Sequence, residues 1–349
     1  MSAPPKRSYP APEIVLKLPN TSSYEYLVTP ELIARALYVY CGAPLLKYAE
    51  VVNSQYAVKL GPGVSDYEYR VLQFLETIPS VSTPRPIDYF DVEVTITDKG
   101  GSVNTCEVWH VLVMTTIPGK MLAEAWDELR PEQLVDILKE TMGCINQIDS
   151  AIRDGASLPG PDGKWSPLQR PVDTIGDLDG EQGRCIELPF YGNVFPGIVH
   201  SDDFVSRMTK TALQPPATEE LLEKTLQSLG PTTSSDIRFC HIDLSGCNIM
   251  VHNGRLSGII DWELAGWYTW RLEVLGAMKG LRQAADIAPF VEAWDVPKEL
   301  VKLITRTLTT LQRGKDVYRH EQRRLAWENV EGVRNRRQHK KEKAAVIES

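Results

Sequence analysis

RFCHIDLSGCNIMVHNGRLSGIIDWELAGWY, residues 238–268, decides the fold of this 349-residue chain. It holds three polar groups at fixed offsets. Asp243 comes two residues after His241, Asn248 five after Asp243, and Asp261 thirteen after Asn248, behind the apolar run Gly258-Ile259-Ile260. Asn253-Gly254 lies midway and favours a tight turn with positive φ, which predicts a hairpin between Ile249–His252 and Leu256–Ile260. Such a hairpin brings Asn248, at its start, close to Asp261, at its end.

Two oxygen donors beside a further carboxylate suit Mg²⁺, which prefers oxygen ligands and keeps room for substrate phosphates. A base Asp, a metal Asn five residues later, and a metal Asp after a hairpin follow the logic of a phosphoryl-transfer catalytic loop. Singly, each of these residues reads as a turn or cap. Jointly, they point to catalysis. His241 reads as structural, hydrogen-bonding the loop backbone. Nothing marks Cys247 as a nucleophile.

Working outward, residues 1–20 read as a loose leader. Thr29 and Pro30 can start a helix over Pro30–Tyr40. A hairpin is predicted over Lys47–Leu60, and Ser65 can cap a helix running to about Leu75. Tyr89–Thr97 and Val108–Thr115 read as paired strands, and Pro118-Gly119 ends that sheet. Pro131–Ile152 is an amphipathic helix with Leu134, Ile137, Leu138, Met142, Ile145 and Ile148 near one stripe. Residues 155–200 look like long loops. Helices are expected from Ser201 and from Thr218, and most of the chain from Leu272 onward reads as helical. The expected organisation is α+β: a small antiparallel β-rich N-lobe over 21–117, a larger helical C-lobe over 118–312, and a basic tail over 313–349.

The 238–268 segment resembles the catalytic and metal loops of the aminoglycoside phosphotransferase/choline kinase-like family, within the protein-kinase-like fold. That family reads roughly H-G-D-L-H-P-x-N-I, then I-I-D-W-E. This chain reads His241-Ile242-Asp243-Leu244-Ser245-Gly246-Cys247-Asn248-Ile249, then Ile259-Ile260-Asp261-Trp262-Glu263. Trp262 points to the small-molecule branch, and Ala265-Gly266-Trp267-Tyr268 resembles its fungal members. The resemblance implies Asp243 as catalytic base, with Asn248 and Asp261 as Mg²⁺ ligands. It further implies that Lys59, after Ala57-Val58, contacts ATP phosphates, and that Glu68 pairs with it. Residues 111–119 resemble the hinge strand, so the backbone of Met114, Thr115 and Thr116 is expected to pair with adenine. Asp202 and Asp203 resemble an acidic helix start in the family's substrate-side insertion and are candidates for an amine substrate. Glu263, Trp267, Trp270 and Arg271 are candidates to line an acceptor pocket, with helix–helix packing as the alternative.

Three departures stand out. Ile242 replaces a Gly that would have greater backbone freedom. Ser245-Gly246 replaces His-Pro. No Gly-x-Gly-x-x-Gly precedes Lys59, and the nearest glycine upstream is Gly42. These changes bear on rate and acceptor choice more than on nucleotide binding.

The implied activity is an ATP- and Mg²⁺-dependent transfer of the γ-phosphate to a hydroxyl of a small molecule, such as an amine-bearing alcohol or an aminoglycoside-like compound. The alternative is a catalytically weak or inactive nucleotide-binding scaffold. A protein kinase ranks below both, because no Ala-Pro-Glu-like segment follows Asp261.

Composition agrees with a globular enzyme: 42% hydrophobic and 24% charged residues, and a net charge of −8. That balance excludes a largely disordered or disulfide-framework protein and disfavours general nucleic-acid binding. No run of ~18 apolar residues predicts a membrane span. The six cysteines are scattered with no CxxC, so they read as reduced thiols in a cytoplasmic protein. The tail from Arg313 holds eleven Lys/Arg and six Asp/Glu. The body that carries the expected site is therefore more acidic than the total, which is mildly hospitable to a cationic acceptor.

Overall fold

Five antiparallel strands build the small lobe: β1 (Glu13–Lys17), β2 (Tyr48–Val51), β3 (Tyr56–Gly61), β4 (Pro86–Thr97) and β5 (Val103–Thr115), in the order β1-β4-β5-β3-β2. The structure is a computed structural model. It describes residues 13–39, 47–97, 103–160, 162–167, 174–177, 185–187, 194–196, 199–200, 224, 227–228, 237–278, 288–294, 296–297, 299–301 and 303. Helix α1 (Pro30–Val39) covers one face of the sheet and α2 (Asp66–Glu76) the other. Thr29 caps α1, its Oγ1 accepting the Leu32 N–H at 3.2 Å.

The period-2 alternation of a strand decides where Lys59 goes. Val58 and Leu60 turn into the small-lobe core with Leu32, Ile33 and Ala36 of α1. Ala57 and Lys59 therefore face the other way, and Ala57 packs on the second core. In that core α2 contributes Tyr67, Val71, Leu72, Phe74 and Leu75, so α2 packs against the large lobe as well as the sheet.

After β5 the chain makes β6 (Lys120–Met121), a short helix α3 (Leu122–Ala125) and the long α4 (Pro131–Arg153). The predicted stripe of α4 is buried at Leu134, Ile137, Leu138, Ile145 and Ile148, while Met142 is partly covered. Short strands follow: β7 (Ser157–Pro159), β8 (Trp165–Pro167), β9 (Thr174–Asp177), β10 (Cys185–Glu187), β11 (Val194–Pro196) and β12 (Val199–His200). Then come β13 (Ile237–Cys240), the hairpin β14 (Ile249–His252) and β15 (Arg255–Ile259), β16 (Gly266–Thr269), α5 (Trp270–Met278) and α6 (Ala288–Trp294). Trp294 Nε1 donates to the Leu138 carbonyl at 2.8 Å and fastens α6 to α4.

The predicted hairpin turn forms: Asn253 and Gly254 have φ of 52° and 73°, the pair of left-handed residues a two-residue type I′ turn needs. The hairpin's open end is closed by the Ile260 N–H donating to the Asn248 carbonyl at 2.9 Å. β13 pairs with β16, and β6 pairs with β14, so the loop from His241 to Asn248 is framed by strands on both sides.

Two expectations are corrected. Residues 13–17 are not part of a loose leader. They pair with β4 from Glu13↔Thr97 to Lys17↔Glu93, and Ile14 and Leu16 lean on the small-lobe core. Residues 155–200 hold short ladders rather than loops alone. Two- to four-residue strands are too brief for a legible alternation, so only pairing across the sheet reveals them. Ser65 precedes α2 as expected, but its side chain makes no capping hydrogen bond. The helix expected from Ser201, with Asp202 and Asp203, lies outside the described residues, as do Gly42 and the basic tail; of the helix expected from Thr218, residues 224, 227 and 228 are described and are helical. Among the described residues no helix is long and apolar enough to cross a membrane.

Candidate active site

Lys59 is buried at the floor of the interlobe cleft, where its Nζ donates to Glu68 Oε2 at 2.7 Å, Asp261 Oδ1 at 2.6 Å and Glu263 Oε2 at 2.8 Å. These three carboxylates form an acidic group whose oxygens lie within 4.8 Å of one another, and the Lys59 ammonium sits among them. Burial opposes the lysine's charge, but Glu68, Asp261 and Glu263 together hold its pKa well above the ordinary value. Burial pushes Glu68 up to about 7 against the pull of Lys59. Asp261 goes the other way. Burial would raise it, but Lys59, then His241 and Lys47, bring its carboxyl below the usual range. Glu68 also accepts the Trp262 N–H on Oε1 at 3.1 Å, so it ties α2 to the segment that carries Asp261.

The other end of the site is the loop between β13 and β14. Ile242 has φ of 71° and Asp261 φ of 66°. Asp tolerates the left-handed region because its short polar side chain bonds locally, whereas a β-branched residue there is a true outlier. One carboxylate compensates. Glu273 of α5, 1% exposed, accepts the His241 N–H on Oε2 at 2.6 Å and the Ile242 N–H at 3.0 and 3.2 Å. Burial raises the Glu273 pKa to about 7 although both N–H groups pull it down. His241 links the two left-handed turns. Its Nδ1 accepts the Asp243 N–H at 3.2 Å, which requires the Nε2–H tautomer, and Nε2 faces the Ile260 carbonyl at 2.9 Å. Burial keeps that imidazole neutral by lowering its pKa. The structural reading of His241 is thus the one its contacts support.

The half-buried Asp243 lies beside Asn248, whose Nδ2 donates to the Asp243 carbonyl at 2.8 Å and to Asp243 Oδ2 at 3.2 Å. That orientation turns the Asn248 Oδ1 into its remaining acceptor. Asp261 spends Oδ1 on Lys59 and retains Oδ2. One amide oxygen and one carboxylate oxygen fit a Mg²⁺ ion completed by phosphates and water. Ser245-Gly246, in place of His-Pro, keeps the loop anchored: the Gly246 carbonyl accepts the Ala123 N–H at 2.8 Å, and the Ser245 carbonyl accepts the Asn248 N–H at 2.9 Å.

Other expected residues lie elsewhere in the site's surroundings. The N–H groups of Thr115 and Thr116 donate to the Arg85 and Gln55 carbonyls at 2.9 and 3.0 Å, so they are not open to a base. Met114 is 7% exposed and pairs in register with both Ala57 and Pro86. The sheet takes in this segment as far as Thr115, where β5 ends. Trp267 does not line a pocket. It is 4% exposed in β16 opposite Phe239, as core. Glu263 points to Lys59 and Lys47 rather than to an acceptor site. Trp270 packs on the core with Arg271 over its ring. A cavity of about 490 Å³ opens in the large lobe beside Arg271, Glu299 and Leu300, and Arg271 is the one expected acceptor-side residue in its described lining.

Sequence reasoning missed two residues. Glu273 lies 32 residues from His241 and carries no motif of its own. Lys47 lies 216 residues from Glu263, to which its Nζ donates at 3.1 Å. The only signal for Glu273 was Ile242, a side chain in a glycine's place that demands an extra restraint.

Comparison with known proteins adds a family. The phosphotransferase enzyme family (APH) matches residues 50–303. No curated protein matches the chain significantly. Among solved structures, the GDP and kanamycin complex of APH(2")-IIia is 12% identical, with a TM-score of 0.45, over 82% of this chain and 90% of that one. A thermostable mutant of APH(4)-Ia in ternary complex with AMP-PNP and hygromycin B is 14% identical, with a TM-score of 0.43, over 81% and 91%. The macrolide 2'-phosphotransferase MphH from Brachybacterium faecium is 12% identical, with a TM-score of 0.41, over 83% and 94%. At these scores the structural likenesses carry no weight beside the family match.

Proposed function

The chain belongs to the phosphotransferase enzyme family, and on that premise we propose that it transfers the γ-phosphate of ATP to a hydroxyl of a small, amine-bearing acceptor. The observation that carries this reading is a pair of contacts, one between the lobes and one within the loop that follows β13. One lysine joins Glu68 to Asp261, while Asn248 is oriented against Asp243.

In this mechanism Lys59 orients the nucleotide phosphates and Glu68 keeps it in place. Asn248 and Asp261 hold Mg²⁺, which supplies charge neutralisation on the transferred phosphoryl. Asp243 accepts the proton of the acceptor hydroxyl as that oxygen attacks the γ-phosphorus and the β–γ bridging bond breaks, leaving ADP. Adenine would pair with backbone beyond Thr116, because the two preceding N–H groups serve the sheet. The acidic body favours a cationic acceptor, and residues 265–268 favour a fungal-type member. Cys106, Cys144, Cys240 and Cys247 are free thiols, in keeping with a cytoplasmic enzyme.

The test is phosphotransfer from Mg-ATP to a panel of amino alcohols, aminoglycosides and simple hydroxyl compounds. Replacing Asp243 by Asn should lower turnover by ~10²–10⁴-fold while ATP still raises the melting temperature. Equal residual turnover in wild type and Asp243→Asn sinks the catalytic assignment. The left-handed Ile242 favours a second reading, a nucleotide-binding scaffold, whose mark is ATP binding with no turnover on any acceptor.

A further inference from the structure

We propose that Lys47 is a second phosphate-binding lysine of the cleft, with Glu263 as the residue that positions it. This rests on the nucleotide-binding reading above and extends it to a residue outside every motif of the chain.

Kinase-type sites cover the phosphates with a glycine-rich loop. No Gly-x-Gly-x-x-Gly precedes Lys59 here, so part of the phosphate contact has to come from elsewhere. Lys47 immediately precedes β2, the strand paired with β3, and the register Tyr48↔Leu60 sets it next to the end of the strand that bears Lys59. Its Nζ lies 3.1 Å from Glu263 Oε2, the same oxygen that accepts Lys59 at 2.8 Å. A single carboxylate oxygen thus holds two ammonium groups side by side. An ammonium has three donors: Lys59 directs its own to Glu68, Asp261 and Glu263, whereas among the described residues the Lys47 ammonium meets Glu263.

The path of the Lys47 side chain is also built in. Its stem crosses Gly63, where an added Cβ would lie 3.1 Å from Lys47 Cε and 3.2 Å from Cγ. Glycine at 63 leaves the room that the lysine occupies. The Lys47 side chain is 31% exposed against 9% for Lys59, so it is the cation within reach of a ligand entering from solvent. A compact ammonium suits a phosphate as a point charge.

The test is calorimetric titration of the full chain with ATP, ADP and adenosine in the presence of Mg²⁺. Lys47→Met is expected to weaken ATP and ADP by ~10–100-fold, the weight of a charge-assisted contact, and to leave adenosine within about twofold. Lys47→Arg should recover most of the loss. Gly63→Ala, which displaces the stem and keeps the charge, should weaken ATP by several-fold. It carries the test together with Lys47→Arg if Lys47→Met does not fold. Lys47→Met binding ATP like wild type, while Lys59→Met loses it, overturns the proposal and leaves the nucleotide reading standing. A wild-type chain that binds ATP no better than adenosine overturns both.

Discussion

At Lys59, charged side chains from α2, β3 and the Asp261–Glu263 turn converge, and the contacts are made by side chains. At Asp243, the neighbouring Ile242 is left-handed and the loop is secured through backbone N–H groups by one buried carboxylate. The first arrangement is a set of charges that an incoming anion can rearrange, because each carboxylate that releases a lysine can turn to metal or water. The second holds a fixed shape whatever is bound. On the proposed reading, a site that receives a highly charged substrate and then moves one proton has use for both: an adaptable end for the phosphates and a rigid end for the base.

Removing the cation should break the adaptable end hardest. Lys59→Met leaves Glu68 buried among carboxylates, and unpairing a buried charge costs ~3–5 kcal/mol. Urea denaturation should register that loss, and ATP should no longer stabilise the variant. A variant as stable as wild type means that the carboxylates, not the lysine, organise the cleft.

Next in size is the rigid end. Glu273→Ala orphans the buried His241 and Ile242 N–H groups at ~1–3 kcal/mol each, which predicts a destabilisation of ~2–6 kcal/mol and loss of turnover. Retained turnover would show that the loop keeps its shape unaided.

Ile242→Gly sets two effects against each other. Relief of left-handed strain returns ~1–3 kcal/mol. Loss of a fully buried branched side chain costs ~2–5 kcal/mol. Packing wins, so the variant should be less stable by ~1–2 kcal/mol with turnover unchanged or higher, since the wild-type strain does not serve the proton transfer. A more stable variant reverses that ranking.

The smallest effect is a slope. The Glu273 carboxyl rises from 4.5 to about 7 on folding. Within that window the folded chain keeps a proton that the unfolded chain has lost, so this group's contribution to stability falls as pH rises. Glu68, also pushed up to about 7, acts with the same sign. Glu273→Gln removes one of the two contributions, and a plot of unfolding free energy against pH should be shallower for the variant across that range. Parallel plots would mean that Glu273 stays ionised in the fold.

The difference between the two ends also separates what could be read early from what could not. Lys59 and Glu68 are nine residues apart on a strand and the helix that follows it, and Asn248 and Asp261 are the feet of one hairpin. Both pairs are local, so alternation and turn chemistry bring them together. For Trp267 the sequence left pocket lining and core packing as alternatives, for the opposite reason. Its place in the core depends on β13, a partner strand that begins 30 residues earlier. The partners of Thr115 and Thr116 were not legible because their N–H groups donate to the carbonyls of Arg85 and Gln55, far away in sequence, and β1 was hidden because it exists only by pairing with the far end of β4.

By itself, then, the sequence determined the two-lobed α+β plan and the hairpin that sets Asn248 beside Asp261, because both follow from periodicity and short spacings, while the lysine–glutamate pair was what the family resemblance implied. Only the tertiary structure decided that Glu273 clasps the loop around Ile242, that Glu263 serves two lysines, and that Thr115 and Thr116 belong to the sheet. Those contacts join segments tens to hundreds of residues apart. No local propensity encodes such a meeting; it arises when two cores pack and bring the segments into one cleft.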